Sequence, residues 1–323
     1  MKNYKYLILG AIPFLLVSCN ATQTKSYSVS AYKTTLEFHD DFKIMQLTDM
    51  HFSIQSDFVK NRDYVVNNVR NCNPDLIVLT GDSFMDATPN IVMNVLDFIN
   101  DLSIPFAFTY GNHDHQGSYG YYFVNDYLKT LSNSVFVDYD DDDIFGSTNY
   151  FVDLVKKDEI KYRLYIIDSN SYVFNNFKYS YDIIHEDQIK HIENIVKEDG
   201  AVPGLAFYHI PLYETDDAYK LYKDSDDRSI IRGEHQEKVS VGYKRTDAFD
   251  RMTSAGIIGH FYGHDHINNT DIMYKGVSLS YGIKSTYEIY SDDALLGYKM
   301  VTLKDDMSYS LDNITSEVVA YEK

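Results

Sequence analysis

The sequence predicts an α/β fold, and two patterns predict it. From residue 42 onward, apolar runs of strand length alternate with segments of helical spacing. That strand–helix–strand rhythm implies parallel strands with helices packed outside them. The second half is richer in strands, which implies a further, mixed sheet. At 323 residues and 44% hydrophobic side chains the chain is long enough for one large domain. No repeat or composition break divides residues 31–323, which read as that domain.

The elements follow in order. FKIMQLT (42–48) is a buried-strand run, and residues 57–70 carry apolar side chains at Phe58, Val65, Val66 and Val69, the spacing of a helix. DLIVLT (75–80), entered after Pro74, is a second strand. Residues 91–99 form a second helix and PFAFTY (105–110) a third strand. Then come YFVDLV (150–155), YRLYIID (162–168), a helix near 186–196, GLAFYH (204–209), a helix near 244–254, GIIGHFYG (256–263) and short strands to the end. Residues 138–143 hold five acidic side chains among six. They read as a solvated turn, or as a calcium loop without the spacing and glycine of an EF-hand. Residues 218–244 are long, polar and weakly periodic, the signature of a lid or site wall.

Ahead of the fold, Lys2 and Lys5 precede an apolar run over 7–17, then Ser18 and Cys19. A bilayer span needs about 20 apolar residues, so this run fits an export signal better. Leu16-Val17-Ser18-Cys19 resembles the lipobox of bacterial lipoproteins, in which cleavage before the Cys leaves it lipidated. A plain signal peptide is the other reading. On the first, residues 1–18 are the signal and 19–30 a lipidated Cys19 and tether. The protein then sits outside the cytoplasm on a bacterial cell surface and meets the membrane through that anchor alone. Cys72 is left without an internal partner, as a small core hydrophobe. With 29 basic against 48 acidic side chains, the net charge of −19 repels phosphate backbones and argues against general nucleic-acid binding.

The informative feature is where polar residues fall relative to the strands. The first strand ends in Asp49-Met50-His51, the second in Gly81-Asp82 and the third in Gly111-Asn112-His113-Asp114. GLAFYH ends in His209, and GIIGHFYG runs into His264-Asp265-His266. In open α/β sheets that edge is where ligands bind. Imidazoles, carboxylates and an amide oxygen without thiolate are what divalent transition metals take. In an extended chain, residues i and i+2 point the same way about 7 Å apart, so Asp49 with His51, and His264 with His266, can each face one cavity. Glycines before Asp82, Asn112 and His264 permit sharp turns there.

In this order, DMH, GD, GNHD, His209 and GHDH resemble the signature of the calcineurin-like metallophosphoesterases, over about residues 42–301. QLTDMHF, PDLIVLTGD, YHIPL and RGEHQE most resemble the branch related to purple acid phosphatases. Purple members carry an iron-binding Tyr three residues after the bridging Asp; here Met85 stands there, so a tyrosinate–iron site is not expected. The resemblance implies a four-layer αββα sandwich with two mixed sheets. It implies one metal held by Asp49, His51 and His266, a second by Asn112, His209 and His264, and Asp82 bridging them. Manganese, iron and zinc all suit this set. His113 would contact the leaving oxygen, with Asp114 behind it.

The chemistry stands beside the family name. Two cations about 3.5–4 Å apart acidify a bridging water to hydroxide near neutrality and offset phosphoryl charge. A cationic His backed by a carboxylate can then protonate the departing alkoxide. Such a hydrolase acts on phosphate esters, monoester or diester. A non-catalytic surface binding lipoprotein on the same fold is the alternative, and a metalloprotease would want H-E-x-x-H, which is missing. His115, Glu234 and His235 are candidates for the substrate pocket. Arg228, Arg232 and Lys244 are candidate phosphate contacts, with surface placement the default. His39, His185, His191 and His260 read as structural.

Overall fold

The computed structural model describes residues 28–117, 119–139 and 143–315. The signal and Cys19 lie outside them, as does the middle of the acidic run. In chain order the elements are a 3-10 turn (Val29–Tyr32), β1 (Lys33–Glu37), β2 (Phe42–Leu47), α1 (Phe58–Cys72), β3 (Leu76–Thr80), α2 (Pro89–Asn100), β4 (Phe106–Thr109) and α3 (Gly120–Leu128). There follow β5 (Asn149–Lys156), β6 (Glu159–Ile167), β7 (Tyr172–Asn175), β8 (Lys178–Tyr181), α4 (Glu186–Asp199), β9 (Gly204–Phe207), α5 (Tyr213–Tyr222) and β10 (Ile231–Arg232). The last are α6 (Ala248–Ser254), β11 (Ile257–Tyr262), β12 (Asp271–Tyr274), β13 (Val277–Tyr281), β14 (Gly297–Leu303) and β15 (Tyr309–Thr315).

Local signals place the early helices. Asp57 caps α1 by accepting from Lys60 N–H, and Asn73 ends it in the left-handed region (φ 44) just before Pro74. Pro89 opens α2, whose Val92, Val95, Leu96 and Ile99 form one buried stripe. β2, β3 and β4 are parallel, and β14 and β15 extend that sheet antiparallel on its other side, in the order β15-β14-β2-β3-β4. The larger sheet runs β1-β5-β6-β9-β11-β13-β12-β10, with β6, β9, β11 and β13 mutually parallel at its centre.

Burial shows how the sheets stack. Ile44, Val78 and Ala107 of the smaller sheet meet Val152, Leu164, Leu205 and Phe261 of the larger in one core. The smaller sheet's other face packs on α1 and α2 through Met45, Ile77, Val65, Val92 and Leu96. The larger sheet's outer face packs on α4 and α6 through Ala206, Ile189, Ile192 and Met252. This is the four-layer αββα arrangement with two mixed sheets. Both faces of the central strands are covered, which is why they read as continuous apolar runs.

The departures from the sequence reading are local. Residues 218–244 are not one loop, because α5 runs through Tyr222 and β10 pairs with β12. The helix near 244–254 is helical only from Ala248. α3 and the β7–β8 hairpin had no expectation; tyrosines on several sides of α3 blur its period. Val29 is buried in a core, so packed structure reaches into the stretch read as tether. Cys72 is half-buried, its Sγ 3.9 Å from Met45 Sδ.

One buried ion pair spans β5 and β6. Arg163 and Asp153, both fully buried, meet at 2.7 Å (Nε–Oδ1) and 3.1 Å, with Lys33 and Asp199 at the edge. Asp153→Ala should cost about 3–5 kcal/mol by stranding the guanidinium. Urea unfolding checks this, and adding Arg163→Met should restore part of the loss.

Candidate metal centre

Every candidate ligand lies within a few residues of the carboxyl end of a parallel strand. β2 runs into Asp49 and His51, β3 into Asp82, β4 into Asn112 and His113, β9 into His209, and β11 into His264 and His266. The chain there is kinked rather than extended: Asp49 (φ 54), His51 (φ 50), Asp82 (φ 49) and His264 (φ 82) are all left-handed. Such residues cost about 1–3 kcal/mol each and persist where the surroundings hold them. Here backbone pairing continues past the strands, with Asp49 N–H on Gly81 O (3.1 Å) and His51 N–H on Asp82 O (2.8 Å). A Cβ at Gly111 would lie 2.2 Å from Asp82 Oδ1, and one at Gly263 2.5 Å from Asp49 Oδ2. Those two glycines let the loops close on the carboxylates.

Two triads that share no residue result, with ligand atoms mutually within 4.8 Å: Asp49, His51 and His266, and Asp82, His209 and His264; a third set at the same spacing, His51, Asp82 and His113, overlaps both. His264 and His266 therefore serve different triads, because the left-handed turn at His264 breaks the alternation expected of an extended chain. In the first triad Asp49 Oδ1 is 3.5 Å from His266 Nε2 and 3.8 Å from His51 Nε2, and the two imidazole nitrogens are 2.9 Å apart. In the second, Asp82 Oδ2 is 3.2 Å from His209 Nε2. The same oxygen is 3.7 Å from His51 Nε2, so it faces an imidazole of each triad. The other oxygen of Asp82 accepts His113 N–H at 2.7 Å.

Electrostatics follow from burial and these contacts. Burial pushes His51 and His264 well below the ordinary imidazole range and His266 down to about 4, so all three are neutral and able to ligate. Burial acts the same way on His209, but the Asp82 and Asp49 carboxylates overcome it and raise His209 to about 10. Burial likewise opposes the charge on Asp82, yet the protonated His209 beside it holds its carboxyl well below the usual range. The carboxylates of Asp49 and Asp82 thus face a protonated His209, and an ion bound by His209 must displace its proton.

Asn112 is the amide that the family resemblance adds to the second set. Its Nδ2 donates to Tyr172 OH at 2.9 Å, and Ser171 Oγ donates to its backbone carbonyl at 2.8 Å. Its Oδ1 is buried with no hydrogen-bond partner. An unsatisfied buried amide oxygen, with two Asp–His triads, is what a metal site presents, so the residues fit two transition-metal ions. Tyr172→Phe removes the bond that orients the amide. It should weaken one of two ions by about 10–100-fold, the usual worth of an outer partner, as read by chelator competition.

His113 is half-buried at the rim, and its ring Nδ1 pairs with Gln116 Oε1 at 3.0 Å. A ring nitrogen of His113 also lies within 4.8 Å of ligand atoms of His51 and Asp82. Asp114 does not back that ring. It is fully buried, and its two oxygens accept Phe84 N–H and Gly111 N–H, each at 2.8 Å. Burial and the neighbouring Asp82 push its carboxyl up to about 7. It joins the loops after β3 and β4, while Gln116 orients His113.

His115 lines an adjoining cavity and sits 3.3 Å from Asp168. Glu234 and His235 do not enter the triads. They line a separate cavity with Lys223, Arg228 and Arg232, where His235 stacks on Tyr219. Their loop buttresses the chain after His266 through Glu234 N–H on Asn269 Oδ1 at 2.6 Å. Arg232 pairs with Asp271, and Lys244 lies by the Tyr243 ring. Tyr208 and Tyr262 belong to the helix-side core, bonded to His260 and Thr215. His39, His185 and His191 pair with Asp75, Asp182 and the Asn149 carbonyl.

Residues without a sequence-level expectation complete the support. Buried Lys284 donates to Asp49 O at 2.7 Å, and Thr286 Oγ1 to Met50 O at 2.6 Å. Burial lowers the Lys284 ammonium to about 8 against the pull of Asp49 and Asp82. The available signal was positional: these residues follow another apolar strand, β13.

A family model described as calcineurin-like phosphoesterase matches residues 42–268. The chain is 25% identical over 323 residues to the probable inactive purple acid phosphatase 29 of Arabidopsis thaliana, covering 86% of this chain and 80% of that protein. It is 26% identical over 300 residues to the probable inactive purple acid phosphatase 28 of the same plant, covering 79% and 73%. Among solved structures, a dimetal phosphatase from Danio rerio shares the fold with a TM-score of 0.56 at 11% identity, over 86% of this chain and 98% of that one. GAP50, the anchor in the inner membrane complex of Plasmodium, does so with 0.51 at 14%, over 86% of each chain.

Proposed function

Because this chain belongs to the calcineurin-like phosphoesterase family, we propose that it hydrolyses phosphate esters with two transition-metal ions. The observation that carries this is Asp82 Oδ2, one oxygen facing an imidazole of each triad. Asp49, His51 and His266 would hold one ion and Asn112, His209 and His264 the other, with Asp82 between them. The chemistry such a pair supplies when bound is Lewis acidity, which makes a water between them nucleophilic near neutral pH and offsets phosphoryl charge.

The chain's own residues do the rest. His113 N–H fixes Asp82 by holding one of its oxygens. Tyr172 and Ser171 fix Asn112. The His113 ring, at the rim and oriented by Gln116, donates a proton to the departing alkoxide. The experiment is a set of initial rates for the full-length protein loaded with manganese, iron or zinc, on phosphomonoester, phosphodiester and nucleotide panels. Turnover that needs metal supports the reading.

The names of the plant relatives favour a second reading, a binding protein that has kept the site without catalysis. Two bound ions with no turnover on any panel would establish it.

The export reading adds location. Cys19 would be lipidated and hold the protein at the cell surface. A Cys19→Ser precursor should stay out of the detergent phase into which the wild type partitions; equal partitioning sinks the anchor. No helix of the described residues is long and apolar enough to cross a membrane.

A further inference from the structure

We propose that the cavity beside Asn112 receives the organic group of the substrate, and that it takes an aromatic group without negative charge. The proposal rests on the phosphoesterase reading above. The cavity measures about 690 Å³, within the range of roughly 300–1,000 Å³ for small-molecule sites. It adjoins the metal centre through Ser171 and Tyr172, which line it and also hydrogen-bond Asn112. His115, two residues beyond His113, lines it as well. An ester whose phosphoryl group sits at the triads has this space beside it.

The lining is aromatic. Tyr121, Tyr122, Tyr139, Phe145 and Tyr172 contribute five rings. Tyr122 is 69% exposed and Phe145 49%, an uncommon amount of ring surface left in water. Both rings have a neighbour that fixes them: Tyr121 lies 4.2 Å from Tyr122, and His185 stacks on Phe145 at 4.1 Å. Rings held in place but still wetted are a ready stacking surface for a flat group.

The lining holds three carboxylates and one basic group, the His115 imidazole. Asp126, Asp138 and Asp182 face the cavity, and no Lys or Arg is among its described lining residues. Lys129 reaches Asp126 (2.8 Å) and Asp138 (2.6 Å) from outside the lining, and His185 reaches Asp182 (3.0 Å). A carboxylate or second phosphate on the organic group would meet these carboxylates, while the one basic lining group, His115, is already taken by Asp168 at 3.3 Å. The same field penalises an acidic substrate and leaves an uncharged ring unopposed.

The test uses esters of primary alcohols with similar leaving-group acidity: 2-naphthylmethyl, cyclohexylmethyl and 4-carboxybenzyl phosphates, on the full-length, metal-loaded protein. 2-Naphthylmethanol is titrated separately by calorimetry. Stacking is worth roughly 5- to 150-fold, so kcat/KM for the naphthylmethyl ester should exceed the other two by about tenfold or more. The Tyr122→Ala/Phe145→Ala double variant, changed only at exposed rings, should erase most of that ratio and weaken the alcohol by a similar factor. Equal kcat/KM across the three esters, or a ratio unmoved in the double variant, overturns the proposal. An alcohol that binds and is weakened by the double variant, with no ester hydrolysed, supports the cavity assignment and overturns the hydrolase reading instead.

Discussion

Asp82→Ala should lose both ions together, and with them turnover by at least about 10³-fold, beyond the 10–100-fold that an outer partner is worth. The reason is that one carboxylate oxygen faces both triads, 3.7 Å from His51 and 3.2 Å from His209. Its removal also takes away the charge that keeps the second triad attractive to a cation. Asp49 Oδ1 lies 3.5 and 3.8 Å from the imidazoles of the first triad and 4.0 Å from His209, so Asp49→Ala should drop the first ion more than the second. Elemental analysis after dialysis separates the two cases. An Asp82→Ala protein that keeps one ion at full occupancy would show that Asp82 belongs to a single site.

His113→Asn should behave in the opposite way, keeping both ions while losing kcat. General acid catalysis is typically worth about 10²–10⁴-fold, and the loss should fall in that range for esters with poor leaving groups. An aryl phosphate, whose leaving oxygen needs little protonation, should suffer less. The structural grounds are exposure and orientation. His113 stands half-buried at the rim while His51, His209, His264 and His266 are buried, and its Nδ1 is committed to Gln116. Its closeness to His51 and Asp82 makes the metal measurement decisive. If His113→Asn strips an ion, or slows good and poor leaving groups alike, His113 is not the leaving-group acid.

Much of the site was legible because strand ends are local. An apolar run of five or six residues announces a buried strand, and the first polar residues beyond it must lie at the sheet's carboxyl edge. That reasoning placed Asp49, Asp82, Asn112, His209 and His264 at the carboxyl ends of their strands, which belong to two sheets, without any knowledge of their partners. It missed Lys284 and Tyr172 because a lysine or a tyrosine after a strand carries no ligand signal of its own. It also misassigned Asp114, since adjacency to His113 in the chain says nothing about which way a kinked loop turns each side chain.

The sequence by itself therefore determined the donor types, their order, and the paired sheets that carry them. These depend on apolar periodicity and residue chemistry, which are properties of short segments. Only the tertiary structure decided the pairing. Left-handed backbone at His264 aims it and His266 at different triads, and the left-handed turns at Asp49 and His51 are held by hydrogen bonds to the loop after β3. Tyr172 reaches Asn112 across 60 residues of chain, and the cavity beside them is walled by segments after β4 and β6 that no local pattern relates. Those contacts follow from strand order, set by the packing of the whole chain.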